Sequence, residues 1–546
     1  MRILGINAVF HDPAAALVVD GRVVAATEEE RFSRRKHGKR PVPFSSWELP
    51  EQSAAWCLQE AGLRPEDLDG VSYSYDAAEC LPAAKLGLDD PWDHLRITYA
   101  KRAREFAADA LPGLDPDTVR YVSHHTAHAA SAGLAAPFGD CSVLVCDGRG
   151  ERASHLAGRY RDGRLEVLAS QRLPHSLGLF YEEATSHLGF TRSRDEYKVM
   201  ALAAYGRPRF AQELHAAVHD EPDGGFCTER IDWDGLAKRR VPGKRPGPEH
   251  ADLAASVQQV TEETLLALAR WLHGRTGDAN LAMAGGVALN CVANSRLAAE
   301  GPFERIWVQP AAGDAGTALG GALHLASLAG EVTQPMPSAR LGRGWTDQEL
   351  ATRLDSAAWP YERPGDIAGA VADELAADRI VAWFQGRSEY GPRALGGRSL
   401  LAHPGHRANL DRLNAVKGRE EFRPVAPIVL ADRAAEIFQG PLPSPYMLFV
   451  HKVDPQWQQR IPAVVHIDGT ARVQTVDRGS EPLLARLLER FSSRTGLPVI
   501  VNTSLNTAGR PMVDDPRDAL ECFGSAPVDA LAMGPFLVRR PRGSRG

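Results

Sequence analysis

Residues 3–27 are ILGINAVFHDPAAALVVDGRVVAAT. Apolar runs in this stretch predict three strands, at residues 3–6, 14–19 and 22–27. Asp20-Gly21 is a typical hairpin turn between the second and third strands. The first strand leads into a polar loop that contains His11 and Asp12. The stretch therefore predicts a strand, a polar loop and an antiparallel hairpin, in that order.

The same order returns in residues 142–169, SVLVCDGRGERASHLAGRYRDGRLEVLA. A strand at 142–146 leads into a polar loop at 147–150, and a hairpin turns at Asp162-Gly163. Asp-Gly hairpins are common, so a single match would be coincidence. Because strand, loop and hairpin recur in one order, the sequence favours an internal duplication with two similar subdomains facing a cleft.

Two further strand–loop–helix units follow. Residues 281–284 lead into Gly285-Gly286 and then Asn290, and residues 306–308 lead towards Asp314. Glycines at the start of a helix let phosphate or ribose approach the backbone amides, where the helix dipole favours negative charge. With the duplication, these units resemble the superfamily of actin, sugar kinases and heat-shock ATPases. That resemblance implies an α/β fold with a nucleotide between its halves.

Composition excludes several classes of protein. The chain has 546 residues, enough for two to four domains, and its net charge of −6 favours neither nucleic acid nor an anionic membrane as a partner. We expect no signal peptide, because the apolar stretch at residues 3–6 is short and soon interrupted, and we expect no bilayer-spanning apolar run. The seven cysteines are scattered without a CxxC pair, which indicates reduced thiols and a cytoplasmic protein.

A linker divides the chain. Residues 332–344 contain prolines, glycines and arginines with little apolar periodicity, so we expect a domain boundary near residue 345. Beyond it, patterns predict a helix at 367–375 and strands at 380–384 and 499–502. The predicted domains are 1–345, with subdomains of about 1–140 and 141–345, and 346–546.

The sharpest local motif is residues 123–128, SHHTAH. Ser123 is a typical helix N-cap, and on that helix His124 and His128 share one face, as two ligands of one metal would. The alternative is a histidine-rich helix start whose rings bond to backbone or solvent. Asp147 and Asp314 each follow an apolar strand and could complete the ligand set. Two histidines and two carboxylates suit Fe(II), Mn(II) or Zn(II).

The first polar loop supplies a candidate base. His11 has an unperturbed pKa near neutrality, whereas Asp12 would be a weak base, so we expect His11 to take a proton in the cleft. The alternative is a structural histidine. Residues 31–40 carry six cations; most such runs are solvated, although one or two of these side chains could meet phosphate.

The second domain carries a different set of residues. Arginines lie in glycine-rich loops after strands, in segments 385–399, 414–424 and 468–472, and short hydrogen-bonding side chains follow a strand at 502–506. Guanidinium groups bind phosphate through paired hydrogen bonds. Surface ion pairs are the alternative for any one arginine. As a group, the segments predict a site for phosphorylated substrates.

Ten blocks in one order carry a whole-chain resemblance: HDPAAALV, KHGK, HHTAHAAS, EYKVMALAAYG, GGVALN, GDAGTALGGAL, YGPRALGGRS, VKGREEFRP, DGTARVQTV and NTSLN. They resemble the O-carbamoyltransferases that modify nodulation factors and antibiotics. The resemblance implies an actin-like first domain and a second α/β domain similar to YrdC. In this family the second domain makes carbamoyl-adenylate from carbamoyl phosphate and Mg-ATP. The first domain then carbamoylates an alcohol over an iron ion.

The resemblance also implies a role for individual residues. The metal ligands are His124, His128, Asp147 and Asp314, and the transfer site contains His11 and Lys36. Asp314 is the least secure ligand, since Asp195 and Glu196 are alternatives in the same half. The first domain binds nucleotide or adenylate through Lys198, Gly285, Gly286 and Asn290. The activation site comprises Arg393, Lys417, Arg423, Arg472, Asn502, Ser504 and Asn506.

Three other functions compete with O-carbamoylation. A tRNA threonylcarbamoyl-type modifying enzyme would need a basic face for RNA, and the chain is net acidic. A non-catalytic actin-like ATP-binding scaffold would have no use for the arginine segments. A hydrogenase-maturation enzyme would carry zinc-binding CxxC pairs. The expected acceptor is a small-molecule alcohol: a sugar, aminoglycoside, polyketide or peptide product. The oligomeric state stays open, with a homodimer as one option.

Overall fold

The computed structural model describes residues 1–37, 49–90 and 93–540. The chain divides into two compact units, Met1–Ser338 and Ala339–Gly546. Residues 38–40, at the end of the basic run noted in the sequence, lie outside the described residues. None of the described helices combines the length and the apolar content that a bilayer-spanning helix needs.

The first unit is built on two five-stranded sheets. Its strands are β1 (Arg2–Asn7), β2 (Ala14–Val19), β3 (Arg22–Glu28), β4 (Gly70–Tyr73), β5 (Val119–Tyr121), β6 (Cys141–Cys146), β7 (Ala153–Arg161), β8 (Arg164–Arg172), β9 (Val218–Asp220), β10 (Phe226–Thr228), β11 (Asn280–Ala284) and β12 (Arg305–Val308). Its helices are α1 (Glu30–Ser33), α2 (Glu51–Glu60), α3 (Asp93–Lys101), α4 (Ala103–Ala110), α5 (His124–Gly133), α6 (Leu177–His187), α7 (Glu196–Ala203), α8 (Ala211–Ala217), α9 (Trp233–Leu236), α10 (Pro248–Thr276), α11 (Cys291–Glu300) and α12 (Ala315–Leu328).

The duplication appears directly in the strand order. One sheet runs β3-β2-β1-β4-β5 and the other β8-β7-β6-β11-β12. In each, the first strand pairs antiparallel with the hairpin that follows it and parallel with the next strand of the same sheet. Both copies therefore place the polar loop after their first strand at the carboxyl end of a parallel pair. The predicted duplicated α/β fold is confirmed.

Small residues let helix α12 lie against both its neighbours. A Cβ at Gly320 would lie 1.8 Å from the carbonyl oxygen of Ala127 in α5, and one at Gly5 would lie 1.8 Å from that of Ala318. Only glycine permits these approaches. They bring the start of α12, where Asp314 lies, close to the histidine-bearing helix α5.

The second unit is α/β as well. Its strands are β13 (Tyr361–Glu362), β14 (Val381–Phe384), β15 (Arg398–Ala402), β16 (Ala426–Leu430), β17 (Phe438–Gln439), β18 (His451–Val453), β19 (Thr470–Ala471), β20 (Gln474–Val476), β21 (Val499–Ser504), β22 (Ala530–Met533) and β23 (Phe536–Arg539). Its helices are α13 (Asp347–Ser356), α14 (Ile367–Ala376), α15 (Ala408–Val416), α16 (Ala431–Ala434), α17 (Pro455–Gln458), α18 (Pro482–Thr495) and α19 (Pro516–Ser525). An eight-stranded mixed sheet runs β13-β23-β22-β14-β15-β21-β16-β20.

The end of the predicted linker belongs to the second unit. The Tyr390 amide donates to the Ala339 carbonyl at 2.7 Å, and Arg387 Nε donates to the Gly342 carbonyl at 2.8 Å. Trp345 Nε1 donates to the Asp514 carbonyl at 3.1 Å. The division between the two units falls between Ser338 and Ala339, and the sequence predicts a boundary near residue 345, to within about ten residues.

Candidate functional site

Helix α5 presents two histidines to one point. His124 and His128 lie one turn apart with ring centroids 4.6 Å apart, and neither ring has measurable exposure. Ser123 occupies the N-cap position, as predicted, but its hydroxyl donates to Glu79 and makes no cap hydrogen bond. The buried carboxylate of Glu151 accepts the His124 amide instead, at 2.9 Å. No local pattern in the sequence points to Glu151, because it reaches the helix from a distant loop.

Two carboxylates complete the cluster. Asp147, directly after β6, places Oδ2 3.4 Å from His124 Nε2 and 3.9 Å from His128 Nε2. Asp314, directly before α12, places Oδ1 3.6 Å and 3.8 Å from the same two nitrogens. The four ligand atoms lie within 4.8 Å of one another, and all four residues are buried. The structure thus brings together the four residues that the sequence proposed as one metal site.

The cluster fits a divalent cation. The Nε2 atoms of both histidines and Oδ2 of Asp314 are buried without a hydrogen-bond partner among the residues that the structure describes. Two ligands about 2.1 Å from a shared tetrahedral ion lie about 3.4 Å apart, close to the nitrogen–oxygen separations found here. The Ser74 carbonyl lies 3.3 Å from His124 Nδ1, so that nitrogen carries the hydrogen and Nε2 is left to bind.

Electrostatics favour a positive charge at this point. Burial alone would lower the pKa of His124, yet Asp147 and Asp314 hold that pKa well above its usual range. Burial would likewise raise the pKa of Asp314, but His11 and the two cluster histidines lower it strongly. Without a cation the two carboxylates draw a proton onto the imidazole of His124. A bound cation would supply the same compensating charge.

The alternative ligands bond elsewhere. Asp195 lies 3.1 Å from Lys198 Nζ, and Glu196 accepts the Ser193 amide at 2.6 Å. Neither shares the cluster of four ligand atoms. Burial and the neighbouring carboxylate of Glu182 raise the pKa of Glu196 to about 7.

His11 reaches the edge of the cluster. Its Nδ1 lies 3.0 Å from Asp12 Oδ2 and 3.8 Å from Asp314 Oδ2. Burial would lower its pKa, but Asp314 and Asp12 outweigh burial and raise the pKa to about 10. Asp12 also binds His37, at 2.9 Å, which brings the segment of the partly exposed Lys36 to this loop.

The predicted nucleotide groups of the first unit are engaged internally. The Gly286 amide donates to Asp147 Oδ1 at 2.8 Å, so it holds a cluster carboxylate. Gly285 has φ +91°, and a Cβ there would lie 2.2 Å from the Cys146 carbonyl. The Asn290 side chain caps α11 and exchanges hydrogen bonds with Gln258. Lys198 pairs with Asp195.

In the second unit the predicted activation residues converge on one edge of the sheet, namely the edge at which the ends of four strands lie side by side. Strands β15, β16 and β20 begin at this edge, and β21 ends there, because β21 is antiparallel to β15 and β16 and β16 is parallel to β20. The loops that precede β15, β16 and β20 carry Arg393, Arg423 and Arg472 respectively. Asn502 and Ser504 lie at the end of β21. Sequence positions far apart therefore meet through strand order.

Hydrogen bonds join these groups. Lys417 Nζ donates to the Ser504 carbonyl at 2.6 Å and to its hydroxyl at 2.8 Å, and also contacts Asn506 Oδ1. Asn502 Nδ2 donates at 2.9 Å to the Ala394 carbonyl and to Gln474 Oε1. Asn502 thus supports the loop that carries Arg393. Gln474 was missed in the sequence, since a lone glutamine in a strand carries no signal.

Buried Glu389 organises the same loop. Its Oε1 accepts the amides of Leu395 at 2.6 Å, Gly397 at 2.8 Å and Arg398 at 3.3 Å. Glu389 was missed in the sequence, where its only signal is a carboxylate within a glycine- and arginine-rich loop.

Both units match family models. Residues 2–82 and 92–323 match the Carbamoyltransferase N-terminus, and residues 372–540 match the Carbamoyltransferase C-terminus. Nodulation protein NolNO of Sinorhizobium fredii is 37% identical over 557 residues, covering 98% of this chain and 80% of that protein. Nodulation protein U of Rhizobium tropici is 32% identical over 575 residues, covering 95% and 93%.

The likeness to solved structures is more distant. HypF of T. kodakarensis is 17% identical with a TM-score of 0.38, covering 61% of this chain and 48% of that protein. At this level the likeness adds nothing to the strand order described above. The two family models and the full-length relatives show that the chain belongs to the carbamoyltransferase family and is a carbamoyltransferase.

Proposed function

We propose that this protein is an ATP-dependent O-carbamoyltransferase. Its second unit makes carbamoyl-adenylate from carbamoyl phosphate and ATP, and its first unit transfers the carbamoyl group to a hydroxyl of a small molecule. The observation that carries the proposal is the buried cluster of His124, His128, Asp147 and Asp314 beside His11, in a chain whose two units match the two carbamoyltransferase models.

The cluster in the first unit would hold a divalent metal, with Fe(II) as the ion that the family resemblance implies. When bound, such an ion neutralises the two carboxylates and offers a Lewis acid to a phosphate or carbonyl oxygen. Once Asp314 is neutralised, the main cause of the raised pKa of His11 is removed, and its imidazole can stay unprotonated near neutral pH.

His11 then serves as the base for the acceptor hydroxyl. An alcohol is a poor nucleophile, so it needs proton removal and a donor with a good leaving group. Asp12 binds His11 Nδ1 at 3.0 Å, which leaves Nε2 as the nitrogen that takes the proton. The hydroxyl oxygen attacks the carbamoyl carbon, and AMP leaves. Lys36 is proposed to pair with the departing phosphate.

The cationic edge of the second unit supports activation. Arg393, Arg423 and Arg472 would bind the phosphates of ATP and carbamoyl phosphate, and Lys417 is held beside them by Ser504. Water first cleaves carbamoyl phosphate to carbamate and phosphate. A carbamate oxygen then attacks the α-phosphorus of ATP, and pyrophosphate leaves with Mg²⁺.

The acceptor is proposed from the family resemblance and from the relatives named nodulation proteins. It is a small-molecule alcohol such as a sugar, aminoglycoside, polyketide or modified peptide.

Incubation of the purified chain with ATP, labelled carbamoyl phosphate and a panel of alcohols tests the proposal. We expect pyrophosphate release that depends on carbamoyl phosphate, and label on at least one alcohol after metal loading. Pyrophosphate release without carbamoyl phosphate, or label that reaches alcohols without ATP, would contradict it.

A further inference from the structure

Three buried polar side chains lie behind the transfer site of the first unit. We infer that Asn7, Ser74 and Thr317 form a positioning network that holds the His11 loop and the ring of His124 in their working places. All three side chains are buried, with relative exposures of 0%, 1% and 0%. The inference rests on the proposed function, because it concerns the site at which the carbamoyl group is transferred.

Asn7 holds the loop that carries His11. It is the last residue of β1, and its Nδ2 donates to the carbonyl of His11 at 3.0 Å and to that of Asp12 at 2.9 Å. Both amide hydrogens are therefore used. The loop needs such support, because Phe10 has φ +42° and Asp12 has φ +50°, a region that side-chain-bearing residues rarely adopt.

Ser74 joins the loop support to the metal cluster. Its hydroxyl lies 3.4 Å from Asn7 Oδ1 and 2.8 Å from Thr317 Oγ1. Its carbonyl lies 3.3 Å from His124 Nδ1. A hydrogen on Nδ1 directed at this carbonyl sets the tautomer in which Nε2 faces the cluster, and it fixes the plane of the ring.

Thr317 ties the network to the third segment of the site. Its hydroxyl lies 2.7 Å from the carbonyl of Asp314, three residues earlier in the chain. The network therefore connects the end of β1, the end of β4 and the start of α12. The end of β1 leads into the loop of His11, the segment after β4 orients His124, and the start of α12 directly follows Asp314. None of the three network side chains belongs to the cluster of ligand atoms, so their role is positioning.

Asn7→Asp is the sharpest test. The carboxylate has nearly the same shape, but it cannot donate and would face two carbonyl oxygens. We expect kcat for carbamoyl transfer to fall roughly 10–100-fold through misplacement of His11, with pyrophosphate release by the second unit unchanged. KM for the acceptor should change much less, because Asn7 is fully buried behind the His11 loop.

Ser72→Ala is the matched control. Ser72 lies on β4, two residues before Ser74, is also buried, and has a hydroxyl without a hydrogen-bond partner in the described part of the chain. This variant should transfer at the wild-type rate. Wild-type transfer by Asn7→Asp would overturn the inference, as would an equal loss in Ser72→Ala.

Thr317→Val tests whether the network supports metal binding. It also provides an independent test if Asn7→Asp does not fold. Removal of this hydroxyl should weaken Zn(II) binding, measured by competition with a chelator, by roughly tenfold or more. Unchanged Zn(II) affinity would refute the link to His124. If the wild-type chain transfers no carbamoyl group, the proposed function fails, whereas the Zn(II) measurement still decides the network.

Discussion

The candidate sites of the two units differ in the sign of the charge that each is suited to bind. In the first unit two carboxylates and two imidazoles are buried together, and several of their atoms lack partners among the residues that the structure describes. In the second unit arginines lie in loops along one sheet edge, and Lys417 is held by three oxygen acceptors at Ser504 and Asn506. The first arrangement suits a cation and the second suits anions.

The difference indicates why two sites are useful. Phosphorylated substrates carry high negative charge and are best activated on a cationic edge. Transfer to a hydroxyl needs a base and an electrophile held away from water, as a buried cluster beside His11 would provide. Substitutions in one site should therefore leave the reaction of the other intact.

The largest effect is expected from His128→Ala. The variant should lose stable metal binding, because it removes one of four ligands, and carbamoyl transfer should fail with it. Elemental analysis after matched purification measures the metal, and pyrophosphate release should persist.

His125→Ala is the control for that experiment. His125 is the neighbouring buried residue of the same helix but lies outside the cluster. Its substitution should leave the metal content at the wild-type value. Equal metal content in His128→Ala and wild type would show that His128 is not a metal ligand.

His11→Asn should reduce transfer by roughly 10²–10⁴-fold, the usual contribution of a general base. The base must be unprotonated, so wild-type transfer should fall as pH falls through the pKa of His11. In the metal-free protein Asp314 and Asp12 raise that pKa to about 10, so the profile must be recorded with metal bound. A single-turnover pH profile with preformed carbamoyl-adenylate is the measurement. An acidic limb that survives in His11→Asn would show that another group is the base.

Arg472→Ala should slow pyrophosphate release. Loss of a charge-assisted contact costs about 1.5–3 kcal/mol, which corresponds to roughly a 10–150-fold decrease. Transfer from preformed carbamoyl-adenylate should not change. Arg460→Ala provides the control, since Arg460 is exposed and stacks 3.9 Å from the ring of Trp457. A wild-type rate in Arg472→Ala would exclude this arginine from the activation site.

The smallest effect is expected from Thr346→Ala, which separates stability from function in the second unit. Thr346 caps α13, accepting the Glu349 amide at 3.3 Å while Glu349 accepts the Thr346 amide at 2.8 Å. Its loss should cost about 1 kcal/mol and lower Tm by a few degrees, without slowing pyrophosphate release. Thr352→Ala, inside the same helix, should lose no stability. Equal Tm values for the two variants would argue against the cap.

Local patterns in the sequence predicted much of the framework. The repeated order of strand, polar loop and hairpin predicted two copies of one sheet, because each strand and turn is specified by a few neighbouring residues. The helix at 367–375 and the strands at 380–384 and 499–502 match α14, β14 and β21 to within a few residues. The spacing of His124 and His128 likewise predicted a shared helix face.

The sequence by itself thus determined the duplication, the histidine pair and the arginine-rich loops, since each depends on contacts within a few residues. Only the tertiary structure decided that Asp314, and not Asp195 or Glu196, joins the cluster, because Gly320 and Gly5 let α12 approach α5 and β1. It also decided that Glu151, and not the side chain of the N-cap residue Ser123, accepts the first amide of α5. Hydrogen bonds between residues far apart in the chain leave no local periodicity, so they emerge only when the sheets and helices are packed.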